Sequence, residues 1–156
     1  MSHDSPVLDP LVREGIARFI EQIPFNKLLG IELLSIEEDA VEMRVPMRPE
    51  LVGNYLHGIL HGGVTATILD VAGGLMALVG ASLKNQHLSS SERMARLSKL
   101  GTIDLRVDYL RPGRGTAFIA RATPLRSGNK VAVIRCELHA LEGELIAVGT
   151  GTYLCG

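Results

Sequence analysis

This chain of 156 residues predicts an α+β fold in which an antiparallel sheet wraps around one long apolar helix. Three observations carry that prediction. From Val64 to Leu83 the chain is apolar apart from a single ionisable group, Asp70, and a helix apolar on every side belongs at the centre of a fold. On both sides of it lie short stretches in which apolar residues alternate with polar ones, the period of a half-buried strand. Tight turns join consecutive strands, which makes their pairing antiparallel.

In chain order, Met1 to Pro10 is polar and acidic and shows no signal-peptide pattern. Pro10 to Ile23 reads as an amphipathic helix with Leu11, Ile16, Phe19, Ile20 and Ile23 on one side, ended by Pro24. Residues 1–28 form an N-terminal helical extension and 29–156 a single domain. Leu33–Ile36 and Val41–Val45 are strands joined by the acidic turn Glu37-Glu38-Asp39, and a loop from Pro49 to Leu60 holds Gly53, Asn54, His57 and Gly58. After the apolar helix, residues 84–99 are polar and serine-rich and read as a mobile or partly helical insertion. Ile103, Leu105, Val107 and Tyr109 then alternate with Asp104, Arg106 and Asp108 in a half-buried strand, and Pro112-Gly113 turns the chain. Three further strands follow, Thr116–Leu125, Lys130–Leu141 and Glu144–Leu154, with turns at Ser127-Gly128-Asn129 and Glu142-Gly143.

Composition narrows the function. The net charge of −1, the absence of tryptophan and an aromatic content of 4% argue against nucleic acid as the principal partner. Cys136 and Cys155 have no metal-ligand spacing and read as free thiols in a reducing compartment, so a cytoplasmic location is expected. No metal or cofactor is implied. Val64–Leu83 has the length of a membrane span, but Asp70, Gly73, Gly74 and Gly80 suit a lipid-facing helix poorly. A buried core helix is expected instead, with no membrane insertion.

Chemistry concentrates at the head of that helix. His61-Gly62-Gly63 leads into it, and glycines at a helix start leave backbone N–H groups bare for an oxyanion or a polarised carbonyl. Asp70, alone in apolar surroundings, is costly to keep charged unless it is paired or used, as a general base on water or as a nucleophile. Gly62 and Asp70 lie eight residues apart, about 12 Å along a helix. Oxyanion donors and an attacking group must both lie within about 3 Å of one reacting centre. One helix cannot do this alone. Two antiparallel copies related by a two-fold axis can, so a shared site in at least a dimer is expected.

These features together resemble the hotdog fold, and His61-Gly62-Gly63 with Asp70 resembles its acyl-CoA thioesterase branch of the PaaI and 4-hydroxybenzoyl-CoA type. Thr102-Ile103-Asp104-Leu105-Arg106-Val107-Asp108-Tyr109-Leu110-Arg111-Pro112 resembles that family's next signature, and the matches span about Leu29 to Leu154. The resemblance implies hydrolysis of an acyl-CoA, or of an acyl-carrier-protein thioester, to acid and thiol by a homo-oligomer, a dimer or a dimer of dimers. It makes Asp70 the catalytic carboxylate and a Gly62 or Gly63 N–H of the partner subunit the oxyanion donor. His61 at that position shapes the loop and contacts the partner, with direct proton transfer the lesser alternative. Asn54 matches a residue that orients the thioester or the water, although the spacing here is one residue longer and His57 shares the loop. Thr102 matches a hydroxyl that holds the attacking water, against the plain reading of a β-branched strand residue. Arg111, Arg114, Arg126 and Lys130 flank turns where cations could hold coenzyme A phosphates, and Ser127, Gly128 and Asn129 offer backbone N–H groups to pantetheine or phosphate. The acyl group would lie against Val71, Gly74, Leu75 and Leu78. The competing readings are a non-catalytic acyl-CoA-binding or sensing protein, a dehydratase of the same fold, and a membrane or scaffolding protein. The paired histidine and acidic signature of the dehydratases is not seen.

Overall fold

The computed structural model describes residues 6–156. Helix α1 (Pro10–Gln22) begins behind Asp9, whose carboxylate accepts the N–H groups of Leu11 and Val12, a side-chain cap on two otherwise orphan donors. Pro24 ends it as predicted, but also starts a short helix, α2 (Pro24–Leu29), because proline at a first helical position loses nothing. Strands β1 (Glu32–Ile36) and β2 (Val41–Pro46) follow. The acidic turn between them anchors α1: Arg13 reaches Glu38 at 2.7 Å and also donates to the Ile36 carbonyl, while Leu8 N–H donates to Glu38 at 3.0 Å. That N–H, ahead of the Arg13 charge, holds the Glu38 carboxyl below its usual range.

The loop expected over Pro49–Leu60 is a 3₁₀ turn (Pro49–Leu51) followed by a small hairpin, β3 (Val52–Asn54) and β4 (Ile59–Leu60). Strands this short carry no readable alternation. Helix α3 (Gly62–Lys84) comes next, and the polar insertion folds in part as α4 (Ser90–Leu97). Ser89 and Glu92 cap α4 reciprocally, the S-x-x-E box that marks a helix start in sequence. Strands β5 (Gly101–Tyr109), β6 (Ala117–Ser127), β7 (Val131–Ala140) and β8 (Leu145–Leu154) complete the chain.

Six strands pair antiparallel in the order β1-β2-β6-β7-β8-β5. The sheet curls around α3, which packs chiefly on β6, β7 and β8. Ile68, Leu69, Ala72, Leu75, Met76 and Val79 of α3 are buried, against Phe118, Ile134 and Leu138 of the sheet. Ile16 and Ile20 of α1 join the same core. Although α3 is long and apolar enough to cross a membrane, 67% of its most apolar stretch is buried inside this fold. The strand expected to be half-buried, β5, departs from that reading. It is an edge strand, and Ile103 and Tyr109 remain 57% and 55% exposed.

A tyrosine fixes how closely α3 approaches the sheet. Tyr153 is buried, and a Cβ built on Gly73 or Gly151 would lie 2.1 or 2.4 Å from its hydroxyl oxygen. Its ring thus occupies the space that side chains at both positions would need. Gly73→Ala is expected to lower stability by about 1–3 kcal/mol, the usual cost of overpacking, although alanine is the better helix former. Chemical denaturation of the variant checks this.

Candidate functional site

The N-terminus of α3 is built by its own cap. The Nδ1 of His61 accepts the Gly63 N–H at 2.8 Å, and the His61 carbonyl accepts Val64 N–H at 3.0 Å. A Cβ at Gly63 would lie 2.9 Å from that ring nitrogen, and one at Gly53 would lie 2.7 Å from His61 Cα. Glycine at both positions lets the β3 strand and the imidazole close over the helix start. The Gly63 N–H is therefore engaged, whereas the Gly62 N–H has no acceptor among the described residues. Gly62 is the free donor. Tyr109 secures it from the other side, its hydroxyl donating to the Gly62 carbonyl at 2.8 Å.

Asp70 sits half-buried on the same helix, and Thr102 Oγ1 donates to its Oδ1 at 2.9 Å. A β-bulge makes this bond possible. Thr102 pairs with Tyr153 and Asp104 with Thr152, so Ile103 is the extra residue. Strict alternation would turn Thr102 outward with Asp104. The bulge instead turns it toward α3, on the face of Tyr153, whose hydroxyl donates to the Asp70 carbonyl at 3.1 Å. Burial first, with Asp70's charge adding to it, pushes the Cys136 thiol up to about 12, and burial likewise raises the Tyr153 hydroxyl. Both stay protonated. Gly62 and Asp70 lie on one unbroken helix, so the separation of about 12 Å stands.

The other candidates fall into groups. Asn54 makes the β3–β4 turn, its Oδ1 accepting Leu56 N–H at 3.1 Å and its carbonyl accepting Gly58 N–H at 2.9 Å. It follows directly on Gly53, which abuts His61. Arg111 and Arg114 lie at the N-terminal end of α3, where Arg111 donates to the Leu145 carbonyl at 3.0 Å and Arg114 to the His57 carbonyl at 3.1 Å. A cleft of about 370 Å³ opens there between Leu60, Gly62, Thr65, Tyr109, Arg111 and Ile146. Arg126, Ser127, Gly128, Asn129 and Lys130 form the β6–β7 turn at the opposite end, where Lys84 donates to the Ser127 carbonyl. Within that turn the Gly128 N–H is spent on Val131 O at 2.9 Å. One chain thus keeps its two cationic groups at opposite ends of α3. Tyr109 and Tyr153 are contributors that motif reading did not single out. Their place on the helix-facing register of β5 and β8 was the available signal.

The family model for the thioesterase superfamily matches residues 57–147, a span that holds His61, Asp70 and Thr102. The chain belongs to the thioesterase superfamily. It is 49% identical over 138 residues to the medium/long-chain acyl-CoA thioesterase YigI of Escherichia coli, covering 88% of this chain and 89% of that one. A crystal structure from Shewanella oneidensis, of a protein related to the thioesterase superfamily, superposes with a TM-score of 0.91. That protein is 47% identical, and the match covers 95% of this chain and 99% of that one. The Escherichia coli PaaI protein, at 18% identity, shares the fold with a TM-score of 0.75, covering 97% and 96% of the two chains. The α+β architecture is therefore the hotdog fold of that superfamily, and the chain is a thioester hydrolase.

Proposed function

We propose that this protein hydrolyses medium- to long-chain acyl-CoA to the free acid and coenzyme A, in a site shared between two subunits. Asp70, oriented by the Thr102 hydroxyl at 2.9 Å on a helix otherwise apolar, carries the reading. As general base, Asp70 takes a proton from water as the oxygen adds to the thioester carbonyl. When the C–S bond breaks, the proton goes to the departing sulfur. As nucleophile, it adds to the carbonyl itself and expels the thiolate, water then cleaves the mixed anhydride, and a proton released in that hydrolysis goes to the thiolate. In either route the carbonyl oxygen gains negative charge, and the unengaged Gly62 N–H of the partner's α3 N-terminus receives it.

Two observations support a dimer. Among the described residues the outer edge of β5 has no partner strand, and Ile103 and Tyr109 of β5 and the following Leu110 are exposed, a row of free backbone groups and apolar side chains suited to a second copy. Gly62 and Asp70 also lie eight residues apart on one unbroken helix, a gap that an antiparallel pair of α3 helices closes, with Arg111 and Arg114 at the Gly62 end to meet coenzyme A phosphates. His61 then acts as the capping and shaping residue, and Asn54 as the turn that supports it. Two free thiols suit a reducing, cytoplasmic setting. The chain length follows YigI, named for medium and long acyl-CoA.

The test is thiol release from acyl-CoA esters of increasing length by the purified protein. Turnover with kcat/KM of about 10⁴ M⁻¹s⁻¹ or more on the preferred length is expected. Tight acyl-CoA binding with no thiol released would make it a sensor instead.

A further inference from the structure

A second cavity, of about 800 Å³, lies away from the cleft beside Gly62. It is within the range of ligand pockets, and its walls are α1 on one side and α4 on the other. Leu11, Ile16 and Phe19 line the α1 side, Met94 and Leu97 the α4 side, and Leu78 of α3 its floor. The rim side chains are left bare: Leu11 is 79%, Phe19 56% and Met94 66% exposed. No residue of α4 is buried, so an amphipathic helix turns its apolar stripe toward α1 with nothing in between. Gln86, in the loop between α3 and α4, ties that loop to the segment leading into α1, accepting Asp9 N–H at 3.0 Å and donating to the Val7 carbonyl at 3.2 Å.

One face of α3 runs from Asp70 toward this cavity. Thr67, Asp70, Val71 and Gly74 are only half-buried, at the spacing of a single helical face, and that face runs on to Leu78. Gly74 leaves the path clear, since a Cβ there would meet only the Tyr153 ring, at 3.6 Å. From Asp70 to Leu78 is about 12 Å, a span of about ten carbons at roughly 1.2 Å per bond of an extended chain.

We infer that the groove between α1 and α4 holds the distal end of the acyl chain, reached from Asp70 over Gly74, so that these two helices read chain length. This rests on the thioesterase reading above. Acyl groups of fewer than about ten carbons stop short of the Leu78 floor. Each further methylene buried adds a factor of about four to binding.

The test uses binding of non-hydrolysable thioether analogues, hexyl-CoA and hexadecyl-CoA, by calorimetry. The wild-type protein is expected to bind hexadecyl-CoA far more tightly. In Phe19→Glu and Met94→Glu, two changes at exposed rim positions, the ratio of the two affinities is expected to fall tenfold or more. Gly74→Leu, which fills the path, is expected to lower the same ratio. An unchanged ratio in folded variants overturns the inference, as does an altered oligomeric state, which would make the groove a contact between copies. A groove-dependent ratio in a wild-type protein that hydrolyses no acyl-CoA would sustain the groove and defeat the thioesterase reading alone.

Discussion

Asp70→Asn is expected to lose about 10²–10⁴-fold in turnover, the usual cost of removing a general base, while folding and assembling as before. The asparagine oxygen can still accept the Thr102 hydroxyl that Oδ1 accepts at 2.9 Å, so geometry is retained and only proton affinity and nucleophilicity are lost. Thiol-release assays beside a thermal melt separate the two effects. Near-normal turnover in the folded variant would remove Asp70 from the chemistry. Thr102→Ala tests the support: it is a positioning change, expected to lower kcat more than it raises KM, with Thr102→Ser restoring most of the loss.

The second large effect comes from Gly62→Pro. Gly62 is the first residue of α3, and His61 before it is extended, at φ −64° and ψ 133°. Both positions suit proline, so the change deletes the single unengaged N–H and leaves the helix. The added carbons meet the Tyr109 ring, 3.3 Å from a Cβ at this site, and the ring must yield by a few tenths of an ångström. Loss of one oxyanion donor costs about 10²–10³ in turnover. Mixing Gly62→Pro with Asp70→Asn is the decisive measurement. In a two-fold dimer, each mixed pair regains one intact site from Asp70 of one subunit and Gly62 of the other, so random exchange restores about a quarter of wild-type activity. A fully active monomer, or exchanged mixed dimers with no recovered activity, would defeat the shared site.

Much of this was legible in the sequence because the signals are periodic or compositional. The apolar run with its one carboxylate places α3 and Asp70, and alternation places the long strands. What alternation hides is where it slips. In β5 the extra residue Ile103 reverses the facing of Thr102 relative to a strict period of two, so residue spacing alone would have turned that hydroxyl away from Asp70. Family resemblance, rather than periodicity, brought Thr102 forward. The β3–β4 hairpin looks like a loop in the sequence because strands of three and two residues have no period to detect. The engagement of Gly63 by His61 depends on a side-chain rotamer, and no pattern in the chain separates it from the unengaged Gly62. The exposure of β5 has a different origin: its alternating pattern is that of a strand with one covered face, which the proposed second copy would supply.

Tyr153, filling the space opposite both Gly73 and Gly151, also constrains how this protein can diverge. A larger residue at either glycine is blocked while the ring is present, and trimming the ring alone opens a cavity in the core. The three positions therefore form an epistatic unit. A substitution harmful on its own becomes tolerable once Tyr153 has been shortened, and their costs do not add. Because that ring touches the helix turn carrying Asp70, drift through such paired changes would reach the carboxylate proposed here to do the chemistry, so neutral exploration of this core would be bounded by that role.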